Sequence, residues 1–336
     1  MPDVLVVSSP SHPVEVGTFA EALGPDYTVS ELDLPPGTLH VRADEDLSAA
    51  LEGKDGVFLR AGEVTEPVIE SADDLEVVAV HGSGYDHIDI EAATRNGVVV
   101  LHNPEGPGPA VVEHTVGMLV TLLRGWPERF ERTAGGEWSR DPVLELGRRT
   151  VGVVGLGFVG SRVARAVSET FGATVLGYDP YVTGDLETGR WPRVTQAEME
   201  AAGVEFVGQK ALFERAEVVT LHTPLTDRTE GMVGPAELDA LAGEYLINTG
   251  RGGVVDQTAL RAAMAEDLLA GVALDVLEEE PPAEDDPLLS HPDVHVTPHI
   301  ASATDGYPPR AAQAGAEKIR AVLDGGRPET VVNPEV

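Results

Sequence analysis

The 336-residue chain contains no cysteine, which excludes disulfides, thiolate nucleophiles, iron–sulfur clusters and cysteine-based zinc sites together. Lysine is almost as scarce: only Lys54, Lys210 and Lys318 occur, and every other base is arginine. Bases as a class are few, 23 against 57 acids, giving a formal net charge of −34. A surface this acidic repels phosphate backbones and anionic headgroups, which argues against nucleic-acid and membrane partners. No apolar run approaches the roughly 18 residues of a spanning helix. The start, Met1-Pro2-Asp3, lacks a basic, signal-like flank. A soluble, cytoplasmic protein is expected. Excess carboxylate with little lysine suits a chain kept hydrated in concentrated salt, where screening over about 3 Å at 1 M suppresses self-repulsion. That combination points to a salt-loving source.

What is present suits two domains, since hydrophobic residues make up 42% of the chain and length over about 150 is the usual divisor. Val4-Leu5-Val6-Val7 and the runs 56–59, 76–80 and 97–101 are short, valine-rich and apolar. Together with a helix predicted over 13–23, they indicate parallel βαβ units. The proline- and glycine-rich stretch 103–109 is the best boundary. A long helix is predicted over 110–124, with Val112, Val116, Leu119 and Leu123 at helical spacing. A second βαβ series starts at Arg149, and residues 325–336 read as a loose tail.

The strongest local motif is a phosphate-binding turn. A strand over 149–154 runs into Gly155-Leu156-Gly157-Phe158-Val159-Gly160 and then a helix with Val163, Ala164, Val167 and Phe171 on one face. Gly155 permits the tight turn, Gly157 lets backbone approach a pyrophosphate, and Gly160 lets helix pack on strand. The helix opened by Phe158 and Val159 then offers free N–H groups to the phosphates. A second strand ends at Asp179, nineteen residues after Gly160. A carboxylate there binds ribose hydroxyls and repels a 2′-phosphate, so NAD is expected over NADP. Arg190 and Arg193 downstream are the candidates for reversing that preference.

Between 56 and 304 the chain resembles the D-isomer-specific 2-hydroxyacid dehydrogenases, the family of D-lactate, glyoxylate/hydroxypyruvate and 3-phosphoglycerate dehydrogenases. The resemblance rests on Gly82-Ser83-Gly84-Tyr85-Asp86-His87-Ile88-Asp89, the glycine turn, and His222-Thr223-Pro224-Leu225-Thr226. It continues through Asn248-Thr249-Gly250-Arg251-Gly252-Gly253, Ala273-Leu274-Asp275-Val276, Glu280-Pro281 and Thr297-Pro298-His299. It implies a Rossmann cofactor domain, 104–301, inserted into a flavodoxin-like substrate domain, 1–103 plus 302–336. It also implies a triad of Arg251, Glu280 and His299.

Each member can be read chemically. A guanidinium forks onto a 2-oxo acid, holding its carboxylate and polarising its carbonyl. An imidazole protonates that oxygen as hydride arrives. A carboxylate on the other ring nitrogen fixes tautomer and orientation. The resemblance further implies that Ser83 and Gly84 aim N–H groups at a substrate carboxylate and that Arg60 falls beside them. His222, Thr223, Pro224, Thr249, Gly250, Arg251, Asp275, His299 and Ser302 are implied to line the cofactor. His81 and His114 read as structural. His291, His295 and His299 recur every four residues, but Pro292 and Pro298 break the helix that would align them on a metal, so no metal is expected.

Departures from the family pattern bear on the substrate. Val80 stands where phosphoglycerate-type members commonly place arginine, and residues 1–103 hold only Arg42, Lys54, Arg60 and Arg95 as bases. An unphosphorylated small 2-oxo acid is therefore expected, with phosphoglycerate dehydrogenase of serine synthesis as the alternative. The hinge reads His102-Asn103-Pro104, displacing its asparagine by one position. About twenty extra residues fall between Pro180 and Gly208, including Trp191. A homodimer through the long helix and the arm after it, bearing Trp126 and Trp138, is implied. A non-enzymatic dinucleotide-sensing scaffold on this fold would not need to keep the acid–base pair.

Overall fold

The valine-rich runs become fully buried parallel strands in the computed structural model, which describes residues 1–35, 44–184, 194–241 and 243–336. The described residues divide into two compact units. One is Met1–Pro109 with Ala303–Val336, and the other lies between Ala110 and Ser302.

The first unit carries β1 (Asp3–Ser8), β2 (Thr28–Asp33), β3 (Gly56–Leu59), β4 (Val77–Val80) and β5 (Val99–Leu101). Their order is β2-β1-β3-β4-β5, and all pairs are parallel. That is the flavodoxin-like winding. Residues of β3 and β4 are buried on both faces, as a sheet covered by helices on two sides requires. The helix Tyr307–Leu323 supplies part of one cover through Ala312, Ala316 and Ile319.

The second unit carries β6 (Thr150–Val154), β7 (Thr174–Tyr178), β8 (Val204–Phe206), β9 (Val218–Leu221), β10 (Tyr245–Asn248), β11 (Gly271–Leu274) and β12 (Val294–Val296). Read from β8, the order is β8-β7-β6-β9-β10-β11-β12. This is the dinucleotide-binding winding with one strand added at the end. Strand order reverses between β6 and β9, the switch point at which such sheets bind ligands. Two doubly wound parallel-sheet lobes, one interrupting the other in sequence, are thus the architecture.

The structure corrects three expectations. The segment 325–336 is no loose tail. Thr330, Val331, Val332 and Asn333 are buried, and Val331 pairs with Leu101. The Asn333 amide accepts from Val100 N–H at 2.8 Å and donates to the Val98 carbonyl at 2.8 Å. It closes the open edge of β5, which would otherwise display unpaired backbone groups. Phe171 does not join the buried face of its helix: Val163, Ala164 and Val167 are buried, but the helix ends before Phe171, which is exposed. The first helix starts at Val16 rather than at residue 13, because the chain turns first through a Val16 N–H to Val14 carbonyl bond. Arg190, Trp191, Arg193 and Arg42 lie outside the described residues.

Candidate active site

In the second unit the residues singled out from the sequence follow one another at the carboxyl ends of strands. β6 delivers Gly155, β7 Asp179, β9 His222, β10 Thr249, β11 Asp275 and β12 Thr297. One edge of one sheet therefore presents all of them.

The glycines of the turn divide by what surrounds them. Gly155 has φ +85°, and a Cβ there would stand 2.8 Å from the His222 carbonyl oxygen. A Cβ on Gly160 would stand 1.9 Å from the Gly155 oxygen. The protein's own packing demands both. At Gly157, by contrast, no atom lies within 4 Å of the Cβ position. A glycine with open space ahead of it, at the start of the helix Phe158–Arg165, suits the close approach of a pyrophosphate to backbone N–H groups. Val159 sits in the first turn of that helix beside Phe158.

The Asp179 carboxylate accepts from Leu156 N–H at 2.8 Å and Tyr181 N–H at 2.9 Å, which ties the end of β7 to the glycine turn. His222 packs against Gly160, and its Nε2 lies 3.0 Å from Thr220 Oγ1. Burial lowers its pKa to about 3, so it stands as a neutral imidazole. Thr223 and Pro224 follow it directly. Thr249 is buried, and its hydroxyl meets that of Thr115 at 2.9 Å.

The three residues expected to form a triad come from neighbouring strand ends. His299 Nδ1 lies 2.7 Å from Glu280 Oε2, while Glu280 Oε1 accepts from Leu277 N–H at 2.9 Å. Burial pushes the Glu280 carboxyl up, but the His299 hydrogen bond and charge, the Leu277 N–H and the Arg251 charge outweigh it and leave it lowered. Glu280 is thus an ionised partner for the imidazole. Arg251 sits in a turn braced by Asn248, whose side chain accepts from Gly250 N–H at 3.0 Å and donates to the Arg251 carbonyl at 2.9 Å. Next to it, a Cβ on Gly252 would stand 1.9 Å from the Leu277 carbonyl carbon. Only glycine lets the arginine turn lie against the segment that leads to Glu280.

His299 has φ +52°, a left-handed conformation that costs a non-glycine residue about 1–3 kcal/mol and persists only where surroundings impose it. Asp275 imposes it. Its carbonyl accepts from His299 N–H at 2.9 Å. Its buried carboxylate accepts from Thr297 Oγ1 at 2.7 Å and from the N–H groups of Ile300 and Ala301, both at 2.9 Å. His114, on the helix Gly108–Arg124, extends the web with Nε2 3.2 Å from Thr297 Oγ1. Because that hydroxyl already donates to Asp275, the His114 Nε2 carries the proton. Ser302 follows Ala301 at the end of this turn. The sequence marked Asp275 only as a cofactor contact. Its grip on the histidine turn depends on three donors 22 to 26 residues away, which no local pattern reveals.

In the first unit, Arg60 follows β3 and His81 follows β4, leading into Gly82, Ser83 and Gly84. Ser83 is exposed and Gly84 half-buried. Asn103 anchors this loop: its N–H donates to the Gly82 carbonyl at 2.8 Å, and its side chain donates to the Ala311 carbonyl at 2.9 Å. His102 Nδ1 lies 3.3 Å from the Ser83 carbonyl oxygen. The displaced asparagine of the hinge thus serves as a structural pin. Trp126 and Trp138 are 41% and 84% exposed, as is Phe130 at 66%, and Trp126 stacks on Phe130. Among the described residues no cluster of ligating side chains fit for a metal occurs.

Residues 116–301 match the family profile described as "D-isomer specific 2-hydroxyacid dehydrogenase, NAD binding domain". The chain is 34% identical over 334 residues to the D-3-phosphoglycerate dehydrogenase of Methanocaldococcus jannaschii, covering 98% of itself and 59% of that protein. It therefore spans little more than half of that relative's length. It is 35% identical over 300 residues to the glyoxylate reductase of Thermofilum pendens, covering 87% of itself and 85% of that enzyme. Among solved structures it is similar to the D-lactate dehydrogenase of Aquifex aeolicus complexed with NAD and lactic acid. That likeness has a TM-score of 0.79 at 28% identity, over 98% of this chain and 99% of the other.

Proposed function

Because the chain belongs to the D-isomer-specific 2-hydroxyacid dehydrogenase family, we propose that it is an NAD-dependent oxidoreductase interconverting a D-2-hydroxy acid and its 2-oxo acid. The observation that carries this reading is the 2.7 Å bond between His299 Nδ1 and Glu280 Oε2. It leaves Nε2 as the nitrogen that gives its proton to the carbonyl oxygen in reduction, or takes the hydroxyl proton in oxidation. Glu280, held ionised, sets the tautomer and compensates the imidazolium charge. Arg251 binds the substrate carboxylate and polarises the carbonyl, with Ser83, Gly84 and Arg60 as further carboxylate-binding groups. NADH, when bound, supplies the hydride. Gly155, Gly157, Phe158, Val159 and Gly160 cradle its pyrophosphate, and Asp179 takes the adenosine ribose and disfavours the 2′-phosphate of NADP. His222, Thr223, Pro224, Thr249, Gly250, Asp275 and Ser302 line the rest.

The substrate is an unphosphorylated small 2-oxo acid such as glyoxylate, hydroxypyruvate or pyruvate. Val80, the position of the phosphate-type arginine, is buried within the first unit's core and offers a dianion nothing. The phosphoglycerate relative keeps that second reading in play. NADH oxidation in molar salt against a panel of 2-oxo acids, including phosphohydroxypyruvate, decides between them. Turnover confined to the phosphorylated acid would establish the alternative, and tight NADH binding without any turnover would establish a sensing scaffold. The protein acts in the cytoplasm of a salt-loving cell, as its charge of −34 supports. It forms a homodimer that covers Trp126, Phe130 and Trp138. A monomeric mass by light scattering in high salt would refute the dimer.

A further inference from the structure

Three side chains of the first unit form a connected group with no part in the acid–base chemistry. Tyr307, the first residue of the helix Tyr307–Leu323, is 3% exposed. Its hydroxyl lies 3.2 Å from Arg60 Nη1, which donates to it, and 2.8 Å from His81 Nδ1. The guanidinium also lies over the Tyr307 ring, 5.2 Å from its centroid, while the His81 ring meets that ring edge-on at 4.9 Å. One phenol therefore fixes the position after β3 and the position after β4, directly before Gly82-Ser83-Gly84.

Proton placement follows from burial. His81 is 1% exposed, and burial, with the Arg60 charge second, holds it well below the usual histidine range, so it is neutral. Burial also raises Tyr307, against the lowering charge and hydrogen bond of Arg60. With Arg60 donating into the phenol oxygen, the hydroxyl proton goes to His81 Nδ1, and the imidazole proton sits on Nε2. That Nε2 is buried with no hydrogen-bond partner among the described residues. Arg60, moreover, pairs with no carboxylate among the described residues, in a chain with 57 acids and 23 bases. A cation whose direction is fixed by a neutral phenol keeps its charge available for an anionic ligand.

We propose that Tyr307, tied to His81, is a positioning residue that aims the Arg60 guanidinium at the carboxylate of the 2-oxo acid. The proposal rests on the oxidoreductase reading above. Tyr307→Phe keeps the ring beneath the guanidinium and removes both hydrogen bonds. In this variant KM for the 2-oxo acid is expected to rise about tenfold, as loss of a hydrogen bond to a charged group implies. kcat is expected to stay within about twofold and NADH affinity unchanged. His81→Asn, which keeps an acceptor near the Nδ1 position, retains the wild-type KM, whereas His81→Leu reproduces the Tyr307→Phe effect. Calorimetric titration with oxamate reads the same ordering without turnover, so it reports on Tyr307 even if no 2-oxo acid is reduced. Wild-type KM and oxamate affinity in both Tyr307→Phe and His81→Leu would overturn the proposal. A wild-type enzyme that reduces no 2-oxo acid would instead overturn the oxidoreductase reading.

Discussion

Acidifying the protein from pH 7.5 to 5.0 tests the neutral state of His81 directly. The folded protein refuses a proton that the unfolded chain accepts near the ordinary histidine pKa of about 6.5. Below that pH the unfolded state binds more protons, so stability rises with pH and is lost as pH falls. While His81 stays neutral, the loss is about 1.4 kcal/mol per pH unit, or about 2 kcal/mol by pH 5.0. His222, which burial holds at a pKa of about 3, adds a loss of the same sign over the same range. Carboxylates held low by their partners, Glu280 and Asp286 among them, keep their contribution until the pH drops below the ordinary carboxylate range. The relief of self-repulsion in a chain of charge −34 acts in the opposite direction. His81→Asn removes the one titration while sharing every other term with the wild type, so the difference between the two isolates it. Urea titrations followed by far-UV circular dichroism should show the wild-type unfolding free energy falling further than the variant's by about 2 kcal/mol. Parallel falls in the two proteins would show that His81 is protonated in the fold, and the proton placement argued for Tyr307 would go with it.

His299→Ala should lower kcat by about 10²–10⁴-fold with NADH affinity unchanged, as read by fluorescence titration; full turnover would refute the acid–base role. Asn333→Ala strands the Val100 N–H and the Val98 carbonyl, and should cost about 3 kcal/mol in denaturant titrations, whereas a loose tail would cost nothing. Asp179→Asn removes the charge facing a 2′-phosphate while keeping an acceptor for Leu156 N–H, and should raise the kcat/KM ratio of NADPH to NADH by about tenfold or more. An unchanged ratio would assign cofactor choice elsewhere.

Strands with both faces buried were legible because a parallel sheet writes itself as an unbroken apolar run. β3, β4 and β6 are three such runs. β2 was not, because its sequence, Thr-Val-Ser-Glu-Leu-Asp, is that of an edge strand with little buried, and neither alternation nor an apolar run marks it. The closing segment misled for a related reason. Its glycines, prolines and charges read as tail, whereas four consecutive residues, Thr330 to Asn333, are buried against β5. An asparagine amide that satisfies a strand edge has no sequence signature, because its partners lie more than 230 residues away.

The candidate site shows the same division between what is local and what is not. Gly155, Gly157 and Gly160 were readable as a turn because their roles depend on each other over six residues. Arg251, Glu280 and His299 were readable through the motifs around them. The groups that hold those side chains in place were not. Asp275 fixes a left-handed His299, Asn248 braces the arginine turn, and Tyr307 spans two strand ends of the other unit. Each acts through donors or acceptors that only the fold assembles. The groups proposed to react sit in motifs because such chemistry constrains their neighbours in sequence. Orienting groups need only reach the right atom in space, so substitutions at Asp275 and Tyr307 are the ones whose consequences the sequence alone would have underestimated.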